Sequence, residues 1–215
     1  MAANIDQLSR GRLLFGTGVG WSPQEFAALG VPFHRRGALA DEYLTALKAL
    51  WSNEVASFQG RYVAFTEVHT APRPMRRPHP PIWVGGSSDA AMRRAVRYGD
   101  AWHPNRVRLG WLRDTGLPGL RQIAAGENRP APALCPRIRL RLTEMPLPDD
   151  QRLAGEGTLA QVRADLEALH EIGAESVLLD FFYDDVEATR HPEAAWNMLT
   201  ALAERALDLA HETLR

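Results

Sequence analysis

Two glycine clusters hold most of the chemistry this sequence can do. Gly16-Thr17-Gly18-Val19-Gly20 follows the run Arg12-Leu13-Leu14-Phe15, and Gly85-Gly86-Ser87-Ser88 follows Ile82-Trp83-Val84. Each reads as a buried strand closing in a tight loop, and α/β proteins bind ligands at the carboxyl ends of such strands. The first cluster reads either as a tight turn or as backbone brought close to a flat ligand. The second opens a helix, where unpaired N–H groups and the positive end of the helix dipole favour an anion. Its serines can cap the helix or donate to a phosphate. Phosphate is the favoured reading, with Asp89 in the first turn as competing negative charge.

Other chemistries are excluded or left open. A dinucleotide fingerprint fails because Trp21 stands where the third glycine belongs and Pro23 delays the helix. No Gly-Lys-Ser/Thr follows a glycine cluster, and Ser87 and Ser88 lie outside a G-x-S-x-G elbow. The 7 histidines show no metal-ligand spacing, and the single Cys135 permits neither an internal disulfide nor a cysteine zinc cluster. His103 ends a strand beside Trp102 and is a candidate for the same face, with simple packing as the alternative. Glu144 and Asp180 fall at strand ends without the marks of a working acid pair. The arginines at 73, 76 and 77 read as a solvated loop. No catalytic residue and no metal ligand can be named.

Composition sets the class. The chain has 215 residues, 45% apolar and 24% charged, with net charge −1, a soluble globular profile without an electrostatic footprint for nucleic acid. No apolar run approaches the ~18 residues of a membrane span, and Met1 to Gly20 lacks a secretory pattern. A reducing cytoplasm is the expected compartment. Lys48 is the only lysine, an arginine bias typical of high-GC bacterial genomes.

The elements that must hold the clusters alternate. Apolar residues recur at helical spacing from Arg36 to Trp51, through Leu39, Tyr43, Ala46, Leu47 and Leu50. Residues 54–81 are an inserted hairpin, turning at Gln59-Gly60, and a proline-rich loop packed along the scaffold. Asp89–Tyr98 is a helix burying Met92, Ala95 and Val96, with Gly99 as its C′ residue. Residues 109–125 read as a helix broken at Gly116-Leu117-Pro118-Gly119. Arg137–Thr143 alternates as a strand, and Thr158 with Gln161 forms a capping box for a helix to Ile172. Ser176–Asp180 is a strand, and a last helix from Glu193 to about His211 buries Ala195, Leu199, Leu202, Ala206 and Leu209. Alternating strand and helix predict a parallel sheet covered by helices, as a single domain over 1–215.

Three segments in combination resemble the bacterial luciferase-like monooxygenase superfamily, particularly its deazaflavin (coenzyme F420)-dependent oxidoreductases. They are Leu8 to Trp21, Pro81 to Ser88, and Tyr98-Gly99-Asp100-Ala101-Trp102-His103-Pro104. The resemblance implies a (β/α)8 TIM-barrel fold binding F420 or, alternatively, FMN at its top face. It implies that Thr17, Gly18 and Val19 lie by the cofactor ring and that Gly85, Gly86, Ser87 and Ser88 contact its phosphate. It further implies hydride transfer or monooxygenation of a small organic substrate, and a homo-oligomer is expected, to cover the open edge that a partial barrel leaves. Sugar-phosphate dehydrogenases of this family carry an acid about where Val19 stands, which speaks against that activity. The first matched segment corresponds to the family's fourth strand, so the expected fold is a partial barrel of about five βα units, strands 4 to 8. The alternative expectation is a non-catalytic, truncated barrel that binds flavin or phosphate weakly or needs a complementing chain.

Overall fold

The computed structural model describes residues 1–181, 190–208, 210–211 and 213–214. It divides into two compact units, Met1–Trp102 with Ile123–Pro132, and His103–Gln122 with Ala133–Arg215.

The first unit is built on short parallel strands. Helix α1 (Ala2–Leu8) leads to strand β1 (Phe15–Thr17), then to helices α2 (Pro23–Ala28) and α3 (Arg36–Ser52). The hairpin β2 (Val55–Gln59) and β3 (Ala64–His69) precedes β4 (Ile82–Gly85), α4 (Asp89–Tyr98) and β5 (Ala101–His103). In the sheet β4 lies between β1 and β5. Among the described residues β1 pairs within its unit with β4 alone. The expected buried strand is therefore shorter and half-covered: Leu13 and Leu14 lie outside it, and Leu14 is 47% exposed. At the sheet edge the run pairs on one side only, and its side chains alternate between a half-covered and an exposed face.

Helix α3 buries Leu39, Leu44, Ala46 and Trp51. Tyr43, expected on that face, is half exposed. Trp51 packs edge-on against Phe15 at 5.1 Å between ring centroids, joining the helix to β1. The hairpin pairs Phe58 with Phe65 and Gln59 with Ala64, so its loop is Gly60–Val63. Glu42 on α3 closes this loop, its carboxylate accepting from the N–H groups of Arg61, Tyr62 and Val63 at 2.9, 2.6 and 2.7 Å. Desolvation opposes its ionisation, but those donors and the charge of Arg61 outweigh it and hold the Glu42 pKa below its ordinary value. The proline-rich segment is an ordered loop. Arg76 N–H donates to buried Asp6, Gln7 Nε2 to the Arg73 carbonyl, and Ser52 Oγ to the Pro78 carbonyl.

Helix α4 buries Met92, Ala95 and Val96 as expected, and also Ala91 and Arg94, whose guanidinium pairs with Asp41 of α3. Gly99 ends this helix in extended backbone, φ −91°, rather than the left-handed C′ geometry anticipated. Its glycine answers packing: a Cβ would lie 2.9 Å from the Ala95 carbonyl and 3.0 Å from Val84.

In the second unit, which begins at His103, α5 (Leu109–Trp111) runs through a π turn at Leu112–Gly116 into α6 (Leu117–Gly126), whose residues from Ile123 on belong to the first unit. The break expected here is that π turn. Pro118 cannot donate to the preceding turn, and a wider turn ahead of it accommodates the ring. Strands β6 (Ala133–Leu134), β7 (Arg137–Arg139), β8 (Arg141–Leu142) and β9 (Glu156–Gly157) precede α7 (Leu159–Glu171) and β10 (Leu178–Asp180). Arg137–Thr143 is thus two strands. It pairs in parallel first with β10 and then with β9, and Leu140, fully buried, sits at the change of partner. Thr158 and Gln161 form the expected capping box.

Helix α8 (Glu193–Arg205) ends before the antiparallel pair β11 (Leu207–Asp208) and β12 (Thr213–Leu214). It stops short of His211 because the Asp208 side chain accepts from the N–H groups of Ala210 and His211, a local turn that competes with helix. Leu140, Val162, Leu202 and Ala206 form the core beneath it. Of the other core residues expected of this helix, Ala195 and Leu199 are only half buried and Leu209 lies outside the described residues. No described helix is long and apolar enough to cross a membrane.

Candidate functional site

β1 and β4 pair in the register Phe15↔Ile82, Gly16↔Trp83, Thr17↔Val84. Gly18 therefore leaves one strand beside the point where Gly85 ends the other. The two clusters picked from the sequence, Thr17-Gly18-Val19 and Gly85-Gly86-Ser87-Ser88, emerge together from the carboxyl end of one parallel pair.

The glycines of this end separate into two kinds. Gly20 (φ +77°) and Gly86 (φ +113°) take left-handed backbone, and a Cβ would come within 2.7 Å of the Phe26 ring and 2.9 Å of the Ala91 Cβ, respectively. Both are required by the chain itself. Gly16 and Gly18 are different. Neither takes a left-handed φ, and a Cβ on either would meet nothing within 4 Å. Both are exposed. Phe15, by contrast, packs on Trp51, so the bare backbone at Gly16 belongs to the opposite face of β1.

Across the strand pair, Ser88 is the N-cap of α4, its Oγ accepting from Ala91 N–H at 3.3 Å. Of the two candidate hydroxyls, Ser88 thus performs the cap, and Ser87 is half buried ahead of it. The first-turn N–H groups that an incoming anion would meet are those of Asp89 and Ala90. Asp89 is exposed, so its charge is solvated.

Trp102, not among the residues picked for this site, touches its second loop. It is fully buried on β5, and its indole N–H donates to the Gly86 carbonyl at 2.8 Å. That bond fixes the glycine loop from beneath and holds the peptide whose φ no other residue tolerates well. The sequence signal was a tryptophan one residue from a strand end, which needs a partner for its N–H when buried. A cavity of about 460 Å³ lies elsewhere in this unit, lined by Phe15, Leu47, Leu50, Trp51 and residues of α1, and contains none of the expected site residues.

In the second unit, His103 is half buried and its Nδ1 bonds the Cys135 carbonyl at 2.5 Å. An Nδ1–H donor places the neutral ring's lone pair on Nε2. Burial lowers the His103 pKa, with Arg137 adding to the effect and the Cys135 carbonyl opposing it. The charged form of the ring is thus disfavoured relative to a solvated histidine. Asp180 pairs with Arg137 at 2.9 Å and Glu144 is exposed, so the two acids form no working pair. Burial pushes the Cys135 thiol up to about 11, an inert thiol.

Comparison with known proteins follows the same outline. Residues 1–142 match the family model described as luciferase-like monooxygenase. A curated relative, the FMNH(2)-dependent dimethylsulfone monooxygenase of Pseudomonas putida, is 29% identical over 178 residues, covering 80% of this chain and 47% of that protein. The chain spans about half the length of the curated relatives it matches. The monooxygenase RslO1 from Streptomyces bottropensis superposes with a TM-score of 0.64 at 22% identity, over 84% of this chain and 64% of that one. The coenzyme F420-dependent tetrahydromethanopterin reductase from Methanopyrus kandleri superposes with a TM-score of 0.67 at 13% identity, over 82% and 70%. At these identities the superpositions establish the fold: α/β, a partial (β/α)8 barrel.

Proposed function

We propose, since the chain belongs to the luciferase-like monooxygenase family, that it is the cofactor-binding part of a flavin- or deazaflavin-dependent oxidoreductase acting on a small organic molecule. The observation that carries this reading is the pair Gly16 and Gly18. They are glycines for which neither backbone conformation nor packing within the chain supplies a reason. A flat ring approaching the backbone supplies one, because a side chain at either position would occupy its place.

The residues present fit such a group. Thr17, Gly18 and Val19 would hold the ring edge, while Gly85, Gly86, Ser87 and the capped N-terminus of α4 would take its phosphate. When bound, the cofactor supplies the hydride or, in the case of FMN, the oxygen chemistry. The chain contributes placement. Trp102 fixes the Gly86 peptide, Ser88 secures the first turn of α4, and the β1–β4 register holds the two loops side by side. Pre-set geometry of this kind lowers the entropic cost of bringing two reactants together. Relatives and fold neighbours include both an FMNH(2)-dependent and an F420-dependent protein. Both cofactors therefore belong in the test, with F420 as the first expectation.

Equilibrium titration of the purified chain with F420 and with FMN tests the proposal. Micromolar binding of either, with turnover of a reducible substrate, is the expected result. A folded chain that binds neither overturns it, and supports the non-catalytic reading in its place.

A further inference from the structure

The first unit contains four tryptophans whose surroundings contrast, Trp83 on β4 being half buried. Trp51 is 6% exposed and Trp102 fully buried, whereas Trp21 is 84% exposed. A full indole in water forgoes the stabilisation that burial gives a side chain of that size. Isolated exposed apolar residues are ordinary on protein surfaces. The backbone around Trp21 is not.

On one side stands Gly20, whose left-handed φ of +77° and close approach to the Phe26 ring admit no other side chain without movement. Phe26 is in turn held edge-on by Phe33, at 5.3 Å between centroids. On the other side stands Ser22, 7% exposed, whose Oγ accepts from Glu25 N–H at 3.3 Å and caps α2, with Pro23 fixed in its first turn. Trp21 is thus the exposed residue between two anchored neighbours, so the chain presents its indole from a rigid base. It follows by three residues Gly18, the position with open space and no internal reason for glycine. The sixth place of this glycine cluster, where a dinucleotide fold would need glycine for close helix packing, is instead filled by the largest side chain available.

We infer that Trp21 is a stacking residue for the flat heteroaromatic ring held at Gly18. This rests on the function proposed above. An indole on a fixed base loses few rotamers when it stacks, so most of the ring–ring attraction is retained as affinity. A Phe at this position keeps a π face, and an Ala keeps none.

The test compares the wild-type chain with Trp21→Ala and Trp21→Phe, each titrated with FMN and with F420, following both affinity and fluorescence of the bound ring. Because Trp21 is exposed, circular dichroism and the unfolding midpoint of both variants should match the wild type. Trp21→Ala is expected to weaken binding about tenfold or more, the scale of aromatic stacking on a heterocycle. It should also brighten the bound ring by removing a neighbouring quencher. Trp21→Phe should recover most of the affinity. Wild-type affinity and wild-type ring fluorescence in Trp21→Ala would overturn this inference alone. Absence of binding by the wild-type chain would overturn the proposed function and this inference with it.

Discussion

Gly16 and Gly18 of the first unit share their one-residue spacing with Gly155 and Gly157 of the other unit, yet the two pairs exist for opposite reasons. Gly155 (φ +88°) would place a Cβ 2.3 Å from the Arg139 carbonyl, and Gly157 (φ +126°) would place one 2.4 Å from the Gln161 amide. Both are locked by their own chain. Around them lies a dense polar lattice. Arg152 holds Asp165 through two bonds of 2.6 and 2.8 Å, and the Gly155 N–H donates to the same carboxylate at 2.8 Å. Bonding to Asp165 raises the Arg152 pKa above its ordinary value, against the pull of desolvation. Buried Glu156 accepts from Leu153 N–H and faces Arg139 and Arg141. At Gly16 and Gly18 nothing comparable surrounds the backbone. The comparison separates glycine that the fold needs from glycine that a ligand would need.

The contrast can be broken most forcefully at its locked side. Asp165 is 1% exposed, and Asp165→Ala removes two of the bonds of half-buried Arg152, which keeps Asp149 and the Glu156 carbonyl, and takes the acceptor from the Gly155 N–H, a change that should cost about 1.5–3 kcal/mol. Urea unfolding measures this, and a loss under about 1 kcal/mol would show that the lattice is not what holds the second unit. Gly155→Ala should cost about 1–3 kcal/mol, through strain at positive φ and overlap with the Arg139 carbonyl. Unfolding at the wild-type midpoint would contradict the close packing there.

A smaller effect follows from His103. Its pKa is lowered on folding, so the unfolded chain binds the extra proton first as pH falls. Its contribution is complete above about pH 6.5, the ordinary value for histidine, and is lost as pH drops through the lowered native value. The slope is at most about 1.4 kcal/mol per pH unit. His103→Gln should flatten the fall in stability between pH 7.5 and 5.5; an unchanged slope would assign it to other groups. Least of all should Gly16→Ala or Gly18→Ala matter to the fold: each should leave stability unchanged or raise it by about 0.4–1 kcal/mol. A clear loss in the same unfolding measurement would mean that the chain itself requires these glycines.

What was legible in the sequence follows the same division. Local signals carried: the Thr158–Gln161 capping box, the hairpin around Phe58 and Phe65, and the strands closing in glycine all depend on neighbours a few residues apart. Long-range partners did not. Asp165 sits at an i+3 interval from Val162 on the buried face of α7, but its arginine comes from a loop with no periodic signal. The bond from Trp102 to Gly86 and the closure of the hairpin loop by Glu42 are of the same kind. Leu140 shows the limit from another side: its alternation was right, but a change of strand partner is invisible in one strand's own pattern.

The central claim is that the space at Gly18 belongs to a ligand ring. Gly18→Leu, titrated with F420 and FMN beside the wild-type chain, tests it most directly. We predict an unfolding midpoint matching the wild type and cofactor binding weakened at least tenfold. Wild-type affinity in a folded Gly18→Leu chain would contradict the account.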